Sequence, residues 1–217
     1  MAAYYASNLT DFRTTTSNEI VDMLAAANVQ KLLIQQTRAW QVQIKYLQDQ
    51  IPPELDGNIF FEFVIPRMGK RADCIILTEQ CVLVIEFKVN ATTFDSAAMD
   101  QVHDYALDLK NFHAGSHNVP IIPILVATSA RKPALMEAKF ADDMVAQLLQ
   151  IGENNFSAFI LDVLEQSHSA FGAALIDTVN WATSGYLPTL VLSRLRSGLP
   201  THLCSPSFKG QGVFSTQ

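Results

Sequence analysis

The sequence predicts an α/β fold in which a mixed sheet is flanked by helices. Three apolar segments of strand length follow one another between residues 59 and 89, joined by connections of only a few residues. Connections this short require antiparallel neighbours, so the three strands form a meander. Longer segments with helical spacing of apolar residues precede and follow the meander, which indicates helices packed on the sheet.

Two helices are expected ahead of the strands. A polar cap at Thr16 and an acid in the next turn predict a helix that runs to about Asn28. A longer helix is predicted over residues 30–51, where apolar side chains fall on one stripe. Pro52 and Pro53 end that pattern, because proline cannot continue a helix.

The order of the remaining elements completes the fold prediction. The meander strands are expected at residues 59–65, 72–77 and 81–89. Beyond them the sequence predicts a helix over 95–113, a strand over 119–128, a helix over 133–150, a strand over 157–163 and a helix over 165–181. Prolines at positions 120 and 123 indicate either that the 119–128 strand lies at an edge of the sheet or that these prolines mark the start of the strand.

The length of 217 residues suits one domain with a small appendage. We expect the domain to span residues 1–192 and residues 193–217 to form a tail or docking segment, since that stretch has weak periodicity and much Gly, Ser and Pro. The apolar residues just before this boundary are candidates for docking a partner: Leu187, Leu190, Val191 and Leu192.

Composition narrows the functional classes. A hydrophobic content of 49% and a charged content of 17% indicate a folded soluble domain, and the net charge of −6 means that a nucleic-acid enzyme would need clustered basic residues. Three unevenly spaced cysteines and no secretion signal indicate the cytoplasm. No apolar run approaches the roughly 20 residues of a membrane span, so no membrane partner is expected. No G-x-S-x-G motif supports a serine hydrolase.

Acidic residues interrupt the apolar strands at positions that face one another. Glu86 and Lys88 share one face of the third strand, with Phe87 on the other. Asp73 lies inside the second strand and shares a face with Ile75 and Leu77. Glu62 lies inside the first strand and shares a face with Phe60 and Val64. If these faces coincide, three acids and a lysine converge near one end of the sheet.

Charged side chains in such apolar strands are costly unless something compensates them. Crowded carboxylates also raise one another's pKa, and a divalent cation reverses this effect. We therefore expect Asp73 and Glu86 to bind Mg²⁺, or Mn²⁺, which prefer hard oxygen ligands. Lys88 would then orient an attacking water or stabilise charge on a scissile phosphate, with Glu62 as an auxiliary acid.

Two neighbouring groups of polar residues extend this candidate catalytic site. Gln101 and Tyr105 are an i, i+4 pair on the helix that follows, able to hold a phosphate or a base edge. The turn into the Asp73 strand carries the candidate nucleic-acid-binding residues Arg67, Lys70 and Arg71.

This arrangement resembles the PD-(D/E)XK nuclease superfamily, of restriction-endonuclease-like fold. The fit consists of Asp73, the Glu86-x-Lys88 motif on the next strand, and the helix bearing Gln101 and Tyr105. More narrowly, segments 60–73, 84–89 and 100–113 resemble the nuclease-like domain at the N-terminus of certain bacterial proteins, in which a Schlafen-type superfamily 1 helicase follows. The resemblance runs from about residue 4 to residue 188.

The resemblance implies metal-dependent hydrolysis of phosphodiester bonds, with antiphage defence as a common setting. The expected substrate is DNA or RNA, with DNA favoured. The sequence departs from the pattern in two respects. No Pro precedes Asp73, and no G-x-x-x-x-G-K-[ST] occurs, so the ATPase half is absent from this chain. The chain would then be a cut or frame-altered N-terminal piece, or a free-standing variant. A separate helicase or ATPase, or a homo-oligomer, is a candidate partner.

Structural interpretations stand beside the functional ones. Glu62 would equally serve as an ion-pair partner for Arg67 or Arg71, and Gln101 with Tyr105 as hydrogen bonding at the edge of the core. The fold would alternatively be a non-catalytic module that binds nucleic acid or a partner chain. Three histidines lack the spacing and companions of a zinc site: His103, His113 and His117.

Overall fold

A six-stranded sheet, whose strands lie side by side in chain order, organises the fold. The computed structural model describes residues 2–28, 34–131, 137–154, 156–172 and 176–189. The strands are β1 (Tyr5–Asn8), β2 (Asn58–Val64), β3 (Arg71–Leu77), β4 (Val82–Lys88), β5 (Ile121–Ala127) and β6 (Leu149–Ile151). Pairing is antiparallel from β1 to β4 and parallel from β4 to β6. The expected α/β fold with an antiparallel meander in a mixed sheet is confirmed.

Helices cover both faces of this sheet. They are α1 (Leu9–Thr14), α2 (Ser17–Ala27), α3 (Ile34–Gln50), α4 (Ser96–Phe112) and α5 (Phe156–Phe171), with short 3₁₀ turns at Ala114–Ser116 and Trp181–Thr183. One buried layer joins a sheet face to α1, α2, α3 and α5. The other joins the opposite face to α4 and Trp181. Among the described helices, none has the length and apolar character needed to cross a bilayer.

Local sequence explains how α2 and α4 begin. The Thr16 side chain accepts a hydrogen bond from the Glu19 amide, and the Glu19 carboxylate accepts one from the Thr16 amide, which is a complete capping box. The predicted start of α2 is thus confirmed. Asp95 caps α4 by accepting from the Ala98 amide at 3.2 Å. The long α4 then supplies the crossover that parallel β4 and β5 require.

The strand β5 lies between β4 and β6, so the expected position at an edge is wrong, whereas the alternative of a strand start holds for Pro120, which directly precedes β5. All seven of its residues are buried. Its proline is tolerated because of register: Ile121 donates its amide to Met144 on the β6 side, and Pro123 faces that same side. The strand β6 pairs only from Ile124 onward, so the absent amide of Pro123 interrupts no ladder bond.

The predictions for residues 133–181 are largely wrong. The described part of 133–150 contains no helix; a bridge joins Phe140 to Ala146 around Met144, whose φ is +66°. Residues 132–136 lie outside the described residues. The predicted strand at 157–163 is part of α5, which ends before Gly172 instead of continuing to 181. The buried positions of α5 recur at helical spacing: Phe156, Phe159, Ile160, Val163, Leu164 and Ser167.

The C-terminal part of the described chain crosses the end of α4. The Thr189 amide donates to the Asn111 carbonyl at 2.8 Å, and the Leu187 amide donates to that of Phe112 at 3.0 Å. The Leu187 side chain is 54% exposed. Residues 190–217, with Leu190, Val191, Leu192 and the predicted tail, lie outside the described residues, so the domain boundary at 192 stays a prediction.

A glycine before β2 provides a test of the packing between β2 and β3. Gly57 has φ of +145°, and a Cβ there would lie 2.3 Å from the Leu77 carbonyl oxygen. We expect Gly57→Ala to lower the free energy of unfolding by about 2–4 kcal/mol, measured by urea denaturation. Gly69→Ala is the control, because Gly69 has φ of +65° but open space around it. Equal losses in the two variants would contradict the steric explanation.

Candidate metal-dependent active site

The candidate site lies where β3 and β4 separate. Backbone pairing between these strands ends at Cys74 and Ile85. Beyond that point the Oδ2 atom of Asp73 accepts a hydrogen bond from the Phe87 amide at 3.0 Å. A side-chain carboxylate thus replaces the backbone carbonyl that a continuing ladder would supply. The strand ends part, and the carboxylate of Asp73 is held in the gap between them.

Lys88 and Glu86 lie on the same face of β4, as predicted. The Nζ atom of Lys88 is 3.1 Å from Glu86 Oε1 and 3.5 Å from Gln101 Oε1 on α4. Gln101 in turn donates from Nε2 to the Tyr105 hydroxyl at 2.8 Å. Phe87 points into the opposite layer, where its ring meets that of Tyr46 edge to face. The predicted shared face is confirmed, and a polar chain links Glu86 to α4.

Glu62 reaches the site through a break in β2. Its φ of +55° disrupts the alternation of the strand, so that Phe60 and Phe63 both pack in the α4 layer. The expectation that Glu62 shares the face of Phe60 by regular alternation is therefore wrong. Its Oε1 accepts from Trp40 Nε1 at 2.6 Å, and its Oε2 pairs with Arg71 Nε. The structural interpretation of Glu62 as an arginine partner is realised in this structure.

The acids influence one another electrostatically, as crowding predicts. Burial raises the pKa of Asp73 well above its usual range, and the charges of Glu86 and Glu62 raise it further. Burial also raises the pKa of Glu86, although Lys88 opposes that shift by charge and hydrogen bonding. The site thus contains carboxylates whose ionised forms are destabilised.

One cleft of about 980 Å³ brings most of the predicted residues together. Its lining includes Glu62, Asp73, Glu86, Lys88 and Tyr105. Gln101 joins the group through its contact with Lys88 rather than as a lining residue. Their convergence at one end of the sheet is confirmed, while their catalytic roles stay predictions.

The basic turn is held by neighbouring side chains. Lys70 pairs with Asp108 at 2.7 Å, a hydrogen bond that raises the pKa of Lys70. Arg71 pairs with Glu62 and donates to the Tyr4 hydroxyl at 2.9 Å. The exposed Arg67 lies over the ring of Tyr186, 5.0 Å from its centroid. Lys70 and Arg71 line the cleft, and phosphate binding by the three residues stays a prediction.

The donor set suits a divalent ion held by two carboxylates. Within the described residues, Glu86 Oε2 is buried without a hydrogen-bond partner, and Asp73 lies at the same cleft. Hard oxygen ligands of this kind are those that Mg²⁺ and Mn²⁺ take, with water completing the coordination. The two oxygens of Glu62 are already engaged. Accordingly, no cluster of three or more acidic, His or Cys ligands occurs in the described ranges.

Three supporting residues escaped the sequence analysis. Trp40 is a buried residue of α3, and its indole N–H positions Glu62. Tyr4 lies before any predicted element, although its hydroxyl accepts from Arg71. Asp108, one turn beyond Tyr105 on α4, holds Lys70. Only Asp108 carried a detectable signal, since helical spacing places it near the face of Gln101 and Tyr105.

The histidines lie away from this cleft. His113 is buried, with Nδ1 2.7 Å from Ser116 Oγ and Nε2 2.9 Å from Ser184 Oγ. Burial lowers the pKa of His113 to about 4, so its ring is neutral at physiological pH. His103 is exposed on α4, and His117 is partly buried.

The raised pKa of Asp73 leads to a test of stability against pH. The folded state binds the proton of Asp73 more tightly than the unfolded state, so stability falls as pH rises through this folded pKa. We expect Asp73→Asn to raise the free energy of unfolding at pH 7 by about 0.5–2 kcal/mol, and the difference to shrink at acid pH. Urea denaturation of both proteins at pH 7 and at acid pH measures this difference in the free energy of unfolding. The control Asp49→Asn removes an exposed carboxylate; an equal gain there would contradict the explanation.

Comparisons with known proteins give little further information. No protein-family model and no curated protein matches the chain. It is similar to a repair endonuclease from Pyrococcus abyssi, at 20% identity and a TM-score of 0.28, over 48% of this chain and 41% of that one. It is also similar to protein VC1899 from Vibrio cholerae, at 14% identity and a TM-score of 0.30, over 79% of this chain and 47% of that one. The chain spans less than half of either structure, and similarity this weak carries no argument.

Proposed function

We propose that this chain is a metal-dependent nuclease that hydrolyses phosphodiester bonds, of DNA rather than RNA. The observation that carries the proposal is a pair of carboxylates with raised pKa, Asp73 and Glu86, beside the amine of Lys88 in one open cleft. Acids with raised pKa in a cleft are typical of functional sites, where burial and neighbouring charges adjust the pKa of a group to its task. The order Asp, then Glu-x-Lys on the next strand, supports the same chemistry.

Each residue of the site has a proposed role. Asp73 and Glu86 hold Mg²⁺ or Mn²⁺ by carboxylate oxygens, and the unpartnered Oε2 of Glu86 is the atom best suited to it. A divalent ion bound there supplies Lewis-acid stabilisation of the phosphate and a water of lowered pKa. Lys88 donates to the phosphate or to the attacking water from a position fixed by Glu86 and Gln101.

The remaining site residues position these groups. Gln101 connects Lys88 to the hydroxyl of Tyr105, and Tyr105 is the member of that pair that lines the cleft and can reach substrate. Glu62 acts as an auxiliary acid whose orientation Trp40 and Arg71 fix. Lys70 and Arg71 contribute positive charge at the rim, with Arg67 beyond them.

The biological setting that we propose derives from the sequence resemblance. A nuclease-like domain similar to those of Schlafen-type nuclease–helicase proteins would act in the bacterial cytoplasm in antiphage defence. A separately encoded helicase or ATPase, or a second copy of the chain, is the partner proposed with this setting.

The alternative is a non-catalytic module that binds nucleic acid or a partner chain. The engagement of both Glu62 oxygens by Trp40 and Arg71 favours it, because one acid is then unavailable to an ion. The two proposals differ in metal-dependent cleavage that requires Lys88 and in metal binding at Asp73 and Glu86.

Cleavage assays test the nuclease. We expect labelled single- or double-stranded DNA to be cut with Mg²⁺ or Mn²⁺ but not with EDTA, and RNA to be cut less well. Lys88→Ala should lower the rate at least about a hundredfold, since it removes a charged donor at the scissile phosphate. The control Lys139→Ala removes an exposed amine on another part of the fold. Cutting that is unaffected by Lys88→Ala would overturn the assignment.

Metal binding is tested without reference to activity. Because the ion relieves the repulsion between Asp73 and Glu86, Mn²⁺ at about 100 times its Kd should stabilise the fold by roughly 2.7 kcal/mol. Thermal melts of the parent chain should shift upward with Mn²⁺, and those of the Asp73→Asn, Glu86→Gln double variant should not. An equal shift in both proteins would place the ion elsewhere, and the absence of a shift in the parent would favour the non-catalytic module.

A further inference from the structure

A second groove, of about 1020 Å³, adjoins the candidate site. It is lined by α3 on one side and by the segments that follow β4 and β5 on the other. Ala39 and Val89 line both this groove and the acidic cleft, so the two depressions meet at these residues. A chain whose phosphate lay beside Lys88 would continue directly into this second groove.

The lining of the groove differs from that of the acidic cleft. Its apolar part is formed by Ala39, Val42, Tyr46 and Val89, and Val42 is 36% exposed. Around this surface lie neutral polar side chains: Gln35, Gln41, Gln50, Asn90, Thr128, Ser129 and Asn154. Amide side chains can pair with the edges of bases, and apolar surface can pack against their faces. The combination suits a nucleobase better than a bare phosphate.

Positive charge in the groove is concentrated at one residue. Lys45 is paired with Asp49, and Glu153 lies 4.0 Å from the guanidinium of Arg131. Arg38 is exposed, and among the described Lys and Arg residues it is the one whose side chain makes no ion pair, hydrogen bond or ring contact. The groove therefore offers one available guanidinium for a phosphate within a largely neutral surface.

The wall of the groove is fixed relative to Lys88. The carbonyl of Lys88 accepts hydrogen bonds from the amides of Ala91 and Thr128, both at 3.2 Å. Asn90 adopts φ of +61°, and its amide donates to Thr128 Oγ1 at 2.8 Å. These bonds hold the turn after β4 against the end of β5. A base resting on this wall would thus be positioned with respect to the lysine amine.

We propose that this groove binds the unstacked bases and sugars of a single-stranded nucleic acid next to the scissile phosphate. The inference rests on the proposed nuclease function and deepens it, since it names the form of the substrate. Arg38 contacts a flanking phosphate, Asn90 pairs with a base edge, and Val42 packs against a base or sugar.

A duplex fits these observations less well. Proteins grip a duplex mainly through many phosphate contacts from Lys and Arg. Around both depressions the cations Lys45, Lys70, Arg71 and Lys88 already pair with carboxylates. Packing against the faces of bases, which the apolar surface of this groove suits, is available only where the bases are unstacked.

Fluorescence anisotropy in EDTA separates this inference from catalysis. The probes are fluorescein-labelled DNA and RNA oligonucleotides of about 12 nucleotides, single-stranded or annealed to their complement. We expect the single strands to bind at least about tenfold more tightly than the duplexes. The salt dependence should be shallow, with a slope of log K against log salt of about −0.7 to −1.4, as one or two phosphate contacts give.

Two variants locate the bound strand. Arg38→Ala removes the guanidinium. Asn90→Gly removes the side-chain amide, and glycine still adopts the left-handed backbone conformation of this position. Each should weaken single-strand binding about five- to tenfold, whereas Lys139→Ala, which removes a distant exposed amine, should not. Circular dichroism checks that both variants are folded.

The outcomes distinguish failure of the groove from failure of the nuclease. Binding unchanged by Arg38→Ala and Asn90→Gly, or equal affinity for duplexes, would overturn the groove proposal while leaving Lys88-dependent cleavage intact. Weakened binding in both variants, without any metal-dependent cleavage by the parent chain, would support the groove proposal and overturn the nuclease proposal. If none of the probes binds, the groove proposal is overturned.

Discussion

The hydrogen bond from the Phe87 amide to the Asp73 carboxylate is the contact on which the site depends. It stands where the β3–β4 ladder ends, so the strands separate without leaving a buried amide unpaired. The separation lets Glu86 and Lys88 line the cleft, although within β4 only Lys88 is partly exposed and Glu86 stays buried. A single carboxylate thus has two functions, because it ends the sheet pairing and supplies an oxygen to the site.

The second constraint is the position of Glu62. A residue with φ of +55° in the middle of a strand is sterically unfavourable, and it persists because Trp40 and Arg71 hold the side chain from two sides. These contacts tie α3 and the turn before β3 to the same point. The helix α3 that these contacts hold lines both the acidic cleft and the neighbouring groove. The geometry of the whole surface therefore follows from how α3 is placed against β2.

The sequence was informative where local rules decide the structure. Short connections specified the meander, period two placed Glu86 and Lys88 on one face, and the capping box marked the start of α2. The same rules failed after residue 130. The run at 157–163 is apolar enough for a strand, but its buried positions belong to the longer helical pattern of α5. Pro123 suggested an edge, although register alone allows it inside the sheet.

The sequence by itself determined the mixed α/β class and the convergence of Asp73, Glu86 and Lys88, because strand alternation and antiparallel pairing are local properties. Only the tertiary structure decided which charges are already paired. The sequence offered Glu62 either Arg67 or Arg71 as a partner, and only the packing selects Arg71. Lys70 and Asp108 are 38 residues apart in the chain, and no spacing rule pairs them. The groove beside α3 could not be predicted from the sequence either. Its walls come from segments that meet only when the helix packs on the sheet.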